Sequence, residues 1–170
     1  VMFSERLLPV SEFTEGRLIT VEGQFRSYNN YNSESSHKLM LTVFARDIIL
    51  MDSPDDVKIP NSIYLNGFIC KKPVYRTTPF GREIADILLA VNRAYNKSDY
   101  IPCIAWGRNA RFDSHFEIGD NIKIWGRIQS RQYQKKLQDG TVEDRTAYEV
   151  SISKMEISKD NNNTRKDSEE

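Results

Sequence analysis

Residues 121–133, NIKIWGRIQSRQY, alternate apolar side chains with cationic and aromatic ones. Because successive side chains of a β-strand point to opposite faces, this alternation predicts a strand with two unlike faces. The even-numbered residues are apolar or small and suit a core, with room for close approach at Gly126. The odd-numbered residues combine cations, which bind phosphates, with flat rings, which stack on bases, as a single-stranded nucleic acid requires. They are Lys123, Trp125, Arg127, Gln129, Arg131 and Tyr133.

Three further rings stand within a few positions of a cation. Residues 100–106, YIPCIAW, predict a second strand on which Tyr100 and Trp106 share one face, and Tyr95 lies in the loop before it. Together with Tyr133 these rings predict a set of platforms for stacked bases. The cations close to them in sequence are Arg93, Lys97, Arg108, Arg111, Lys135 and Lys136.

Two of these assignments have a structural alternative. The face around Trp125 is also compatible with a solvated surface on which that ring packs against another subunit. Trp106 is also compatible with a place in the hydrophobic core, where large aromatic rings are common. Both alternatives stay open at the level of the sequence.

The composition restricts the class of protein. The chain has 170 residues, 39% of them hydrophobic and 28% charged, which is enough to form the core of one domain or of two small ones. No apolar run approaches the length of a transmembrane helix, and the first ten residues lack the basic start and apolar stretch of a signal peptide. The sequence therefore predicts an intracellular protein with no membrane partner.

Enzymatic chemistry finds little support in the sequence. Cys70 and Cys103 are the only cysteines, and His37 and His115 are the only histidines, too few for a disulfide framework or a thiolate zinc site. The glycine-rich phosphate loop, the dinucleotide-binding fingerprint and the nucleophile elbow do not occur. We therefore predict a binding protein with no catalytic residues, no metal and no cofactor.

The net charge of the chain is zero, but the basic and acidic side chains are unevenly distributed along it. Residues 57–157 contain 16 basic and 11 acidic side chains and carry a net charge of +5, whereas residues 1–56 carry −4 and residues 158–170 carry −1. A basic segment between acidic flanks points to a polyanion as the partner of that segment. An ordinary fluctuation in surface charge is the alternative.

Two segments interrupt a pattern of strands. Residues 51–62, MDSPDDVKIPNS, contain two prolines and adjacent aspartates and predict a linker. Residues 158–170 contain no apolar side chain and predict a disordered polar tail. The apolar run at residues 84–93 is compatible with a strand or a buried helix, and the flanking turn residues favour a strand. A short helix is predicted over residues 107–118 and a hairpin turn around Asp139–Gly140.

The sequence contains an internal repeat. Residues 16–28, GRLITVEGQFRSY, and residues 119–131, GDNIKIWGRIQSR, share the spacing of two glycines and a serine and have apolar residues at matched positions. The strands predicted after them, residues 39–48 and 149–157, match as well. Chance similarity between two amphipathic hairpins is the alternative.

The first copy of the repeat has no room for the three strands predicted before the second. It begins at Val1, within a strand predicted over residues 1–8, and an isolated half-barrel would expose strand edges and apolar surface. Either the chain is a fragment of a protein with two such domains, which we prefer, or another chain completes the half-domain. The first copy retains the apolar row but has one cation where the second has three. We therefore expect residues 63–157 to dominate any binding of phosphates.

Residues 63–157 resemble the bacterial single-stranded DNA-binding protein family, OB-fold proteins that coat exposed strands in replication. The matching stretches are NGFICKKPVYRTTPFGREIADILLAVNR, YIPCIAWGRNA and IGDNIKIWGRIQSRQY, in the family's order and spacing. The resemblance implies an all-β fold, in which a five-stranded Greek-key OB barrel follows the second half of another OB-like domain at residues 1–50. The chain would then be a tandem-OB member truncated at its N-terminus. Residues that fall on the family pattern include Pro73, Arg76, Pro79, Gly81, Ala85 and Ala90.

The resemblance also implies a function and the residues that perform it. The implied function is sequence-independent binding and protection of single-stranded DNA in replication, recombination and repair, in the cytoplasm at the nucleoid. Self-association through the OB domains is implied as well. The base-stacking residues would be Tyr95, Tyr100, Trp106 and Tyr133, and the strand pattern adds Trp125. The phosphate-binding candidates are Arg76, Arg108, Arg111, Lys123, Arg127, Arg131, Lys135 and Lys136.

Two departures from the family pattern concern Trp125 and the end of the chain. Trp125 stands where the family often has an acidic residue before the glycine, and Glu22 in the first repeat is more typical. The last residues, TRKDSEE, lack the aromatic residue of the short acidic tip with which family members recruit other proteins. The sequence therefore does not predict recruitment through that tip. A non-enzymatic OB module that binds a protein or structured RNA is the alternative function, because the fold hosts many ligands.

Overall fold

The computed structural model describes residues 1–31, 37–56, 60–113 and 115–158, and most of them lie in β-strands. Two short 3₁₀ turns lie at Val10–Glu12 and Pro54–Asp56. The elements of regular structure are β1 (Ile19–Tyr31), β2 (His37–Leu50), β3 (Ile63–Thr77), β4 (Glu83–Arg93), β5 (Lys97–Trp106), α1 (Arg108–Asp113), β6 (Asn121–Lys136) and β7 (Val142–Ile157).

Five of the strands close into a barrel in the order β3-β4-β5-β7-β6. Neighbouring strands are antiparallel except β5 and β7, which meet in a short parallel contact. Strand β3 is irregular near its middle, so that residues 63–68 pair with β6 and residues 68–77 pair with β4. A five-stranded closed barrel of this kind is an OB fold, and the predicted fold class is confirmed.

Alternate residues of the strands fill the interior of the barrel. On β4 the inward residues are Ala85, Ile87 and Leu89, and all three are buried. Because this period of two places aliphatic side chains on one face, residues 84–93 form a strand and not a helix, as predicted. Helix α1 and the turn after it add Ala110 and Phe116 to the same core.

The predicted helix over residues 107–118 is shorter than expected. Helix α1 has six residues, and turns lie between it and β6. In these turns Gly119 has a positive φ of 98°, and its N–H donates to Ile69 O at 2.8 Å. This hydrogen bond directs the chain back to β3, and a continued helix would not allow it.

The strand predicted over residues 1–8 is wrong. Met2 forms one isolated parallel bridge with Phe44, in which its N–H donates to Val43 O at 2.8 Å. The chain then turns, because Leu7 N donates to Ser4 O at 2.9 Å. The apolar residues at the start of this segment have the local pattern of a strand, but the backbone hydrogen bonds to Phe44 and its neighbours do not continue beyond Met2.

Strands β1 and β2 form a separate two-stranded sheet that packs on the barrel. Phe25 of β1 and Leu41 of β2 contact the buried core of the barrel. Gly126 in the barrel and Gly23 in this sheet each follow a shift in strand register. A Cβ atom at either position would overlap a carbonyl oxygen of the paired strand, so both bulges require glycine.

The two hairpins match at their open ends as well. Met51 N donates to Leu18 O in the first hairpin, and Ser158 N donates to Asn121 O in the second. Both hydrogen bonds have a length of 2.9 Å. The repeat found in the sequence is therefore also a repeat of backbone geometry.

The remaining connections agree with the sequence where they are described. Gly140 has a positive φ of 85°, and Leu137 N donates to Thr141 O at 2.8 Å, which forms the predicted turn at the tip of the β6–β7 hairpin. Residues 57–59 of the predicted linker lie outside the described residues. The predicted disorder of the tail concerns residues 159–170, which also lie outside them.

Candidate nucleic-acid interface

A continuous outer face crosses the strands of the barrel. Asp86 on β4 pairs with Ile104 on β5, Ile104 pairs with Ser151 on β7, and Ser151 pairs with Arg127 on β6. Residues paired in this way point to the same side of a sheet, here opposite to the core of the barrel. We call this surface the binding face. Its members are Arg76, Ile84, Asp86, Ile104, Trp106, Arg127, Gln129, Arg131, Glu149 and Ser151.

Trp106 lies on the binding face, half-buried at the end of β5. Its Nε1 donates to Ser151 Oγ at 3.1 Å. The neighbouring residue Ala105 points into the core and is fully buried. The ring is therefore anchored on the outside of the sheet, and the alternative that it fills the barrel interior does not apply.

Two arginines of the binding face are held by carboxylates. Arg76 Nε donates to Asp86 Oδ2 at 2.7 Å and its Nη2 donates to Oδ1 at 3.2 Å, and this hydrogen bonding raises the pKa of Arg76 above its usual value. Arg131 Nε lies 3.3 Å from both oxygens of Glu149, a buried carboxylate. These pairs fix the direction of each guanidinium on the surface.

Arg127 differs from those two arginines. It is exposed, and within the described part of the chain it has no carboxylate at ion-pair distance. It lies opposite Ser151, the residue that anchors Trp106. Arg127 and Trp106 are therefore linked through Ser151, which is paired with the first and hydrogen-bonded to the second.

The other predicted rings lie at two edges of the binding face. Tyr95 is 94% exposed in the β4–β5 turn, where it and Asn96 have positive φ values of 61° and 54°. Tyr100 is 47% exposed near the start of β5. Tyr133 lies on the part of the β6–β7 hairpin that extends beyond the barrel, with Arg131 Cζ 5.6 Å from its ring centroid.

The outlying cations also have distinct places. Lys135 and Lys136 are exposed at the end of β6, on the same extended hairpin as Tyr133. Arg108 is exposed at the start of α1. Arg111 Nε lies 2.9 Å from Glu83, which also accepts a 2.6 Å hydrogen bond from the Tyr75 hydroxyl and raises the pKa of Tyr75.

Trp125 lies in a different environment, which we call the Trp125 cluster: Tyr64, Lys123, Trp125 and Lys154. The ring centroids of Tyr64 and Trp125 are 5.1 Å apart, and Lys154 Nζ lies 4.6 Å from the Trp125 centroid. Lys123 is on the same side of β6, two residues before Trp125. It lies opposite Glu156 of β7, which also pairs with Lys154 at 2.6 Å. One face of the Trp125 ring is thus occupied by a cation of the same chain, a contact that the described residues do not make with the ring of Trp106.

Sequence reasoning missed the partners of the predicted residues. Asp86, Glu149 and Ser151 were not identified, although Glu149 directly faces Gln129 and bonds it at 3.0 Å. The position of the β6–β7 turn fixes the pairing of Gln129 with Glu149, so the predicted turn is a signal from which Glu149 can be identified. The contact of Trp106 with Ser151 depends on the parallel pairing of β5 and β7, for which the sequence has no local signal.

Other kinds of site find no support in the described residues. Among them no group of three or more His, Cys, Asp or Glu side chains is arranged to hold a metal ion. A search of the same residues for a helix with the length and hydropathy of a membrane span found none.

The closed barrel and its outer face of rings and arginines define a protein of the OB-fold class. Residues 60–158 match the sequence model of the single-strand binding protein family. This match covers more than half of the chain, and the protein belongs to that family. The resemblance stated from the sequence is thereby confirmed, and membership agrees with the prediction of a binding protein and not an enzyme.

Curated relatives match the barrel region. Single-stranded DNA-binding protein 1 of Staphylococcus aureus (strain COL) is 35% identical over 83 residues, which are 45% of this chain and 50% of that protein. Single-stranded DNA-binding protein A of Bacillus subtilis (strain 168) is 34% identical over 83 residues, 45% of this chain and 48% of that protein. The chain thus matches about half the length of these relatives.

A solved structure is similar over more than the barrel. The wild-type single-stranded DNA binding protein from Thermus aquaticus superposes with a TM-score of 0.67 and 22% sequence identity, over 90% of this chain and 64% of that one. At this identity the likeness establishes the fold. Its coverage of 90% of this chain extends beyond the barrel.

Proposed function

We propose that this chain binds single-stranded DNA through the binding face, without preference for base sequence, and protects exposed strands during replication, recombination and repair at the nucleoid. The observation that carries the proposal is the meeting of Trp106, Arg127 and Arg131 on one outer face of the barrel. A ring for stacking and cations for phosphates on a rigid sheet are the two requirements of a single strand. The names of the relatives agree with this function.

On the binding face, phosphate binding is divided between Arg127 and two arginines that are held by carboxylates. Arg127, which has no carboxylate partner among the described residues, is the principal phosphate contact. Arg76 and Arg131 are oriented by Asp86 and Glu149, and each guanidinium retains further N–H donors for a phosphate oxygen, since arginine has five. The carboxylates lower the net charge of the face, so stacking supplies a correspondingly larger share of the affinity.

The bases follow a path along β5. Trp106 stands at one end of this strand and Tyr100 near the other, six residues or roughly 20 Å apart at the rise of a strand. Tyr95 extends the path past Tyr100. Tyr133 on the β6–β7 hairpin lies toward this same end of β5, because it pairs with Arg145 and that part of β7 is level with the start of β5. Lys135 and Lys136 flank that hairpin, and Arg108 and Arg111 flank the end near α1. Trp125 and Lys123 are assigned to assembly, because Lys154 occupies one face of the Trp125 ring.

Salt dependence tests this assignment. With about four to six phosphates neutralised, log K for an oligo-dT strand should fall against log[salt] with a slope of roughly −3 to −4. Arg127→Glu should weaken binding and flatten the slope. Arg26→Glu is the matched control on β1, where the guanidinium packs on the Phe44 ring. This variant should change the affinity and the salt slope much less. The measurement is a fluorescence titration at several salt concentrations.

The outcomes separate the possible functions. Equal affinity for homopolymer strands of different base, with weak binding of a duplex of equal length, supports the proposal. Preference for structured RNA, absence of DNA binding or a flat salt response contradicts it. Equal losses from Arg127→Glu and Arg26→Glu would show that both sheets contact DNA.

We also propose that residues 1–50 are the second half of an OB-like domain, with residues 51–62 as its linker to the barrel. The matching bulges and hairpin ends support this interpretation. In the described sheets β1 pairs only with β2, and residues 63–66 of β3 pair only with β6. The unpaired edges of both strands line one cleft of about 1390 Å³. Further strands of the first domain would fill this cleft and pair with β1.

Self-association is the third part of the proposal, with a second copy of the chain as the partner. On β1 and β2, Glu22 and Asp47 lie directly opposite each other, and like charges in this arrangement destabilise a sheet. The residues at the same place beside the bulge of the β6–β7 hairpin are Trp125 and Lys154. The acidic face of one copy therefore complements the Trp125 cluster of the other, and a twofold pair of chains forms both contacts.

A further inference from the structure

The β1–β2 sheet and the barrel are joined by a buried polar contact that the proposed function does not use. Ser27 N donates to Asp99 Oδ1 at 2.7 Å, and Tyr100 N donates to Ser27 Oγ at 2.7 Å. Ser27 is 7% exposed and Asp99 is 2% exposed. Buried polar groups are costly to leave without partners, so this contact fixes the relative position of β1 and β5.

The same carboxylate reaches a third strand. Asp99 Oδ2 lies 2.9 Å from Arg93 Nε on β4, an ion pair in which the buried N–H is not aligned with the oxygen. Arg93 pairs with Lys97 across the turn that presents Tyr95. The Asp99 carboxylate therefore contacts β1, at Ser27, and the start of the segment that holds Tyr95, at Arg93, and Ser27 in turn accepts the hydrogen bond of Tyr100 N.

We propose that Ser27 and Asp99 are positioning residues, which couple the docking of the β1–β2 sheet to the placement of Tyr95 and Tyr100 for base stacking. This inference depends on the proposed stacking role of these rings. Tyr95 is 94% exposed and Tyr100 is 47% exposed, so the backbone sets the position of both rings more than side-chain packing does. The docked sheet is then part of the DNA-binding machinery, although few of its own cations take part.

Thermodynamic linkage makes the coupling reciprocal. If docking of β1 favours the stacking geometry, bound DNA favours docking by the same factor. The repeat provides a comparison, because Ser130 occupies on β6 the place that Ser27 occupies on β1. Ser130 is exposed and Ser27 is buried at the junction, so the repeat has one serine in this role and one matched position outside it.

A double-mutant cycle on the full 170-residue chain tests the proposal. Ser27→Ala should weaken binding of an oligo-dT strand about threefold to tenfold, the range expected for a lost neutral hydrogen bond. In a Tyr95→Ala/Tyr100→Ala background the same change should cost less than about twofold, since the rings that it positions are gone. Ser130→Ala is the matched control and should leave affinity unchanged. Thermal melting establishes that each variant is folded.

Each result decides a different question. Equal losses from Ser27→Ala in both backgrounds, or no loss in the parent, would overturn the positioning role while the DNA-binding function stands. No loss from the double tyrosine variant would overturn the stacking role of these rings and the inference with it. If Ser27→Ala does not fold, Ser27→Cys preserves the volume with a weak acceptor and should show the same background-dependent loss. Ser27→Thr retains the hydroxyl and should retain the parent affinity.

Discussion

Trp106 is the residue that joins the binding face to the frame of the barrel. Its indole N–H is satisfied by Ser151 Oγ, so the ring has a fixed anchor on β7 and does not depend on the core for its position. Because β5 and β7 pair in parallel only at this place, the ring also marks where the sheet closes.

Trp106→Ala should weaken binding of oligo-dT by about 1–3 kcal/mol, the value of one stacked base on an aromatic ring. Ser151→Ala is its matched control, because it removes the anchoring hydrogen bond and retains the ring. The serine variant should therefore lose less affinity than the tryptophan variant. Fluorescence titration measures both, and circular dichroism verifies folding. Parent affinity in a folded Trp106→Ala chain would exclude the ring from the site.

The sequence predicted the residue types at the site but not their contacts. Alternation on a strand was sufficient to put Arg127 and Arg131 on one face, because that property is local. The pairing of Arg76 with Asp86 follows from irregular register between β3 and β4, and irregular register is not encoded in a short window. Trp125 shows the same limit: the pattern placed it on the outer side of β6 with Arg127, but its contacts with Tyr64 and Lys154 depend on pairing with β3 and β7.

At the scale of elements, the two glycine bulges define the hairpins. Gly126 allows β6 to approach Ser151 so closely that any side chain would overlap the carbonyl of that residue. Ser151 is also the anchor of Trp106, so the bulge and the binding face share one position of the backbone. The bulge therefore supports both the closure of the barrel and the geometry of the site.

Gly126→Ala should lower the free energy of unfolding by about 1–3 kcal/mol, as overpacked positions do, and should reduce DNA affinity in the chains that fold. Ser130→Ala on the same strand is the control, because Ser130 is exposed and the change removes only a hydroxyl. Urea denaturation monitored by circular dichroism gives the free energy of unfolding of both variants, and fluorescence titration gives their DNA affinity. An unchanged midpoint for Gly126→Ala would mean that the bulge can shift to accept a methyl group.

Most elements of the barrel could be predicted because their patterns are local. The strand at residues 84–93 and the turn at Asp139–Gly140 follow from apolar runs and turn residues. The strand predicted at residues 1–8 is wrong because a strand requires a partner along its length, and in this segment only Met2 has one. The predicted helix was too long because the hydrogen bond from Gly119 to β3 is a tertiary contact.

At the scale of the whole molecule, the two hairpins have kept one backbone and diverged in their side chains. Both retain the glycine bulge and the bonds that join their open ends. Their outer faces differ in charge, with Glu22 and Asp47 on the first and Trp125 and Lys154 on the second, where Lys154 is also paired with Glu156 at 2.6 Å. The first face is acidic, and the second carries two lysines, Lys123 and Lys154, against one carboxylate, Glu156. This difference in charge favours pairing of unlike faces between copies.

Charge reversal tests this pairing in solution. Asp47→Lys or Lys154→Glu alone should shift the chain toward the monomer, because each places like charges together at both contacts of the twofold pair. The combined variant Asp47→Lys/Lys154→Glu restores opposite charges and should recover the dimer. Analytical ultracentrifugation at low and moderate salt measures the dimer fraction, and salt should weaken the parent dimer as well. Lys136→Glu, the same change on the β6–β7 hairpin away from the Trp125 cluster, is the control. A double variant as dissociated as the single ones, or singles that dimerise like the parent, would show that these faces do not meet.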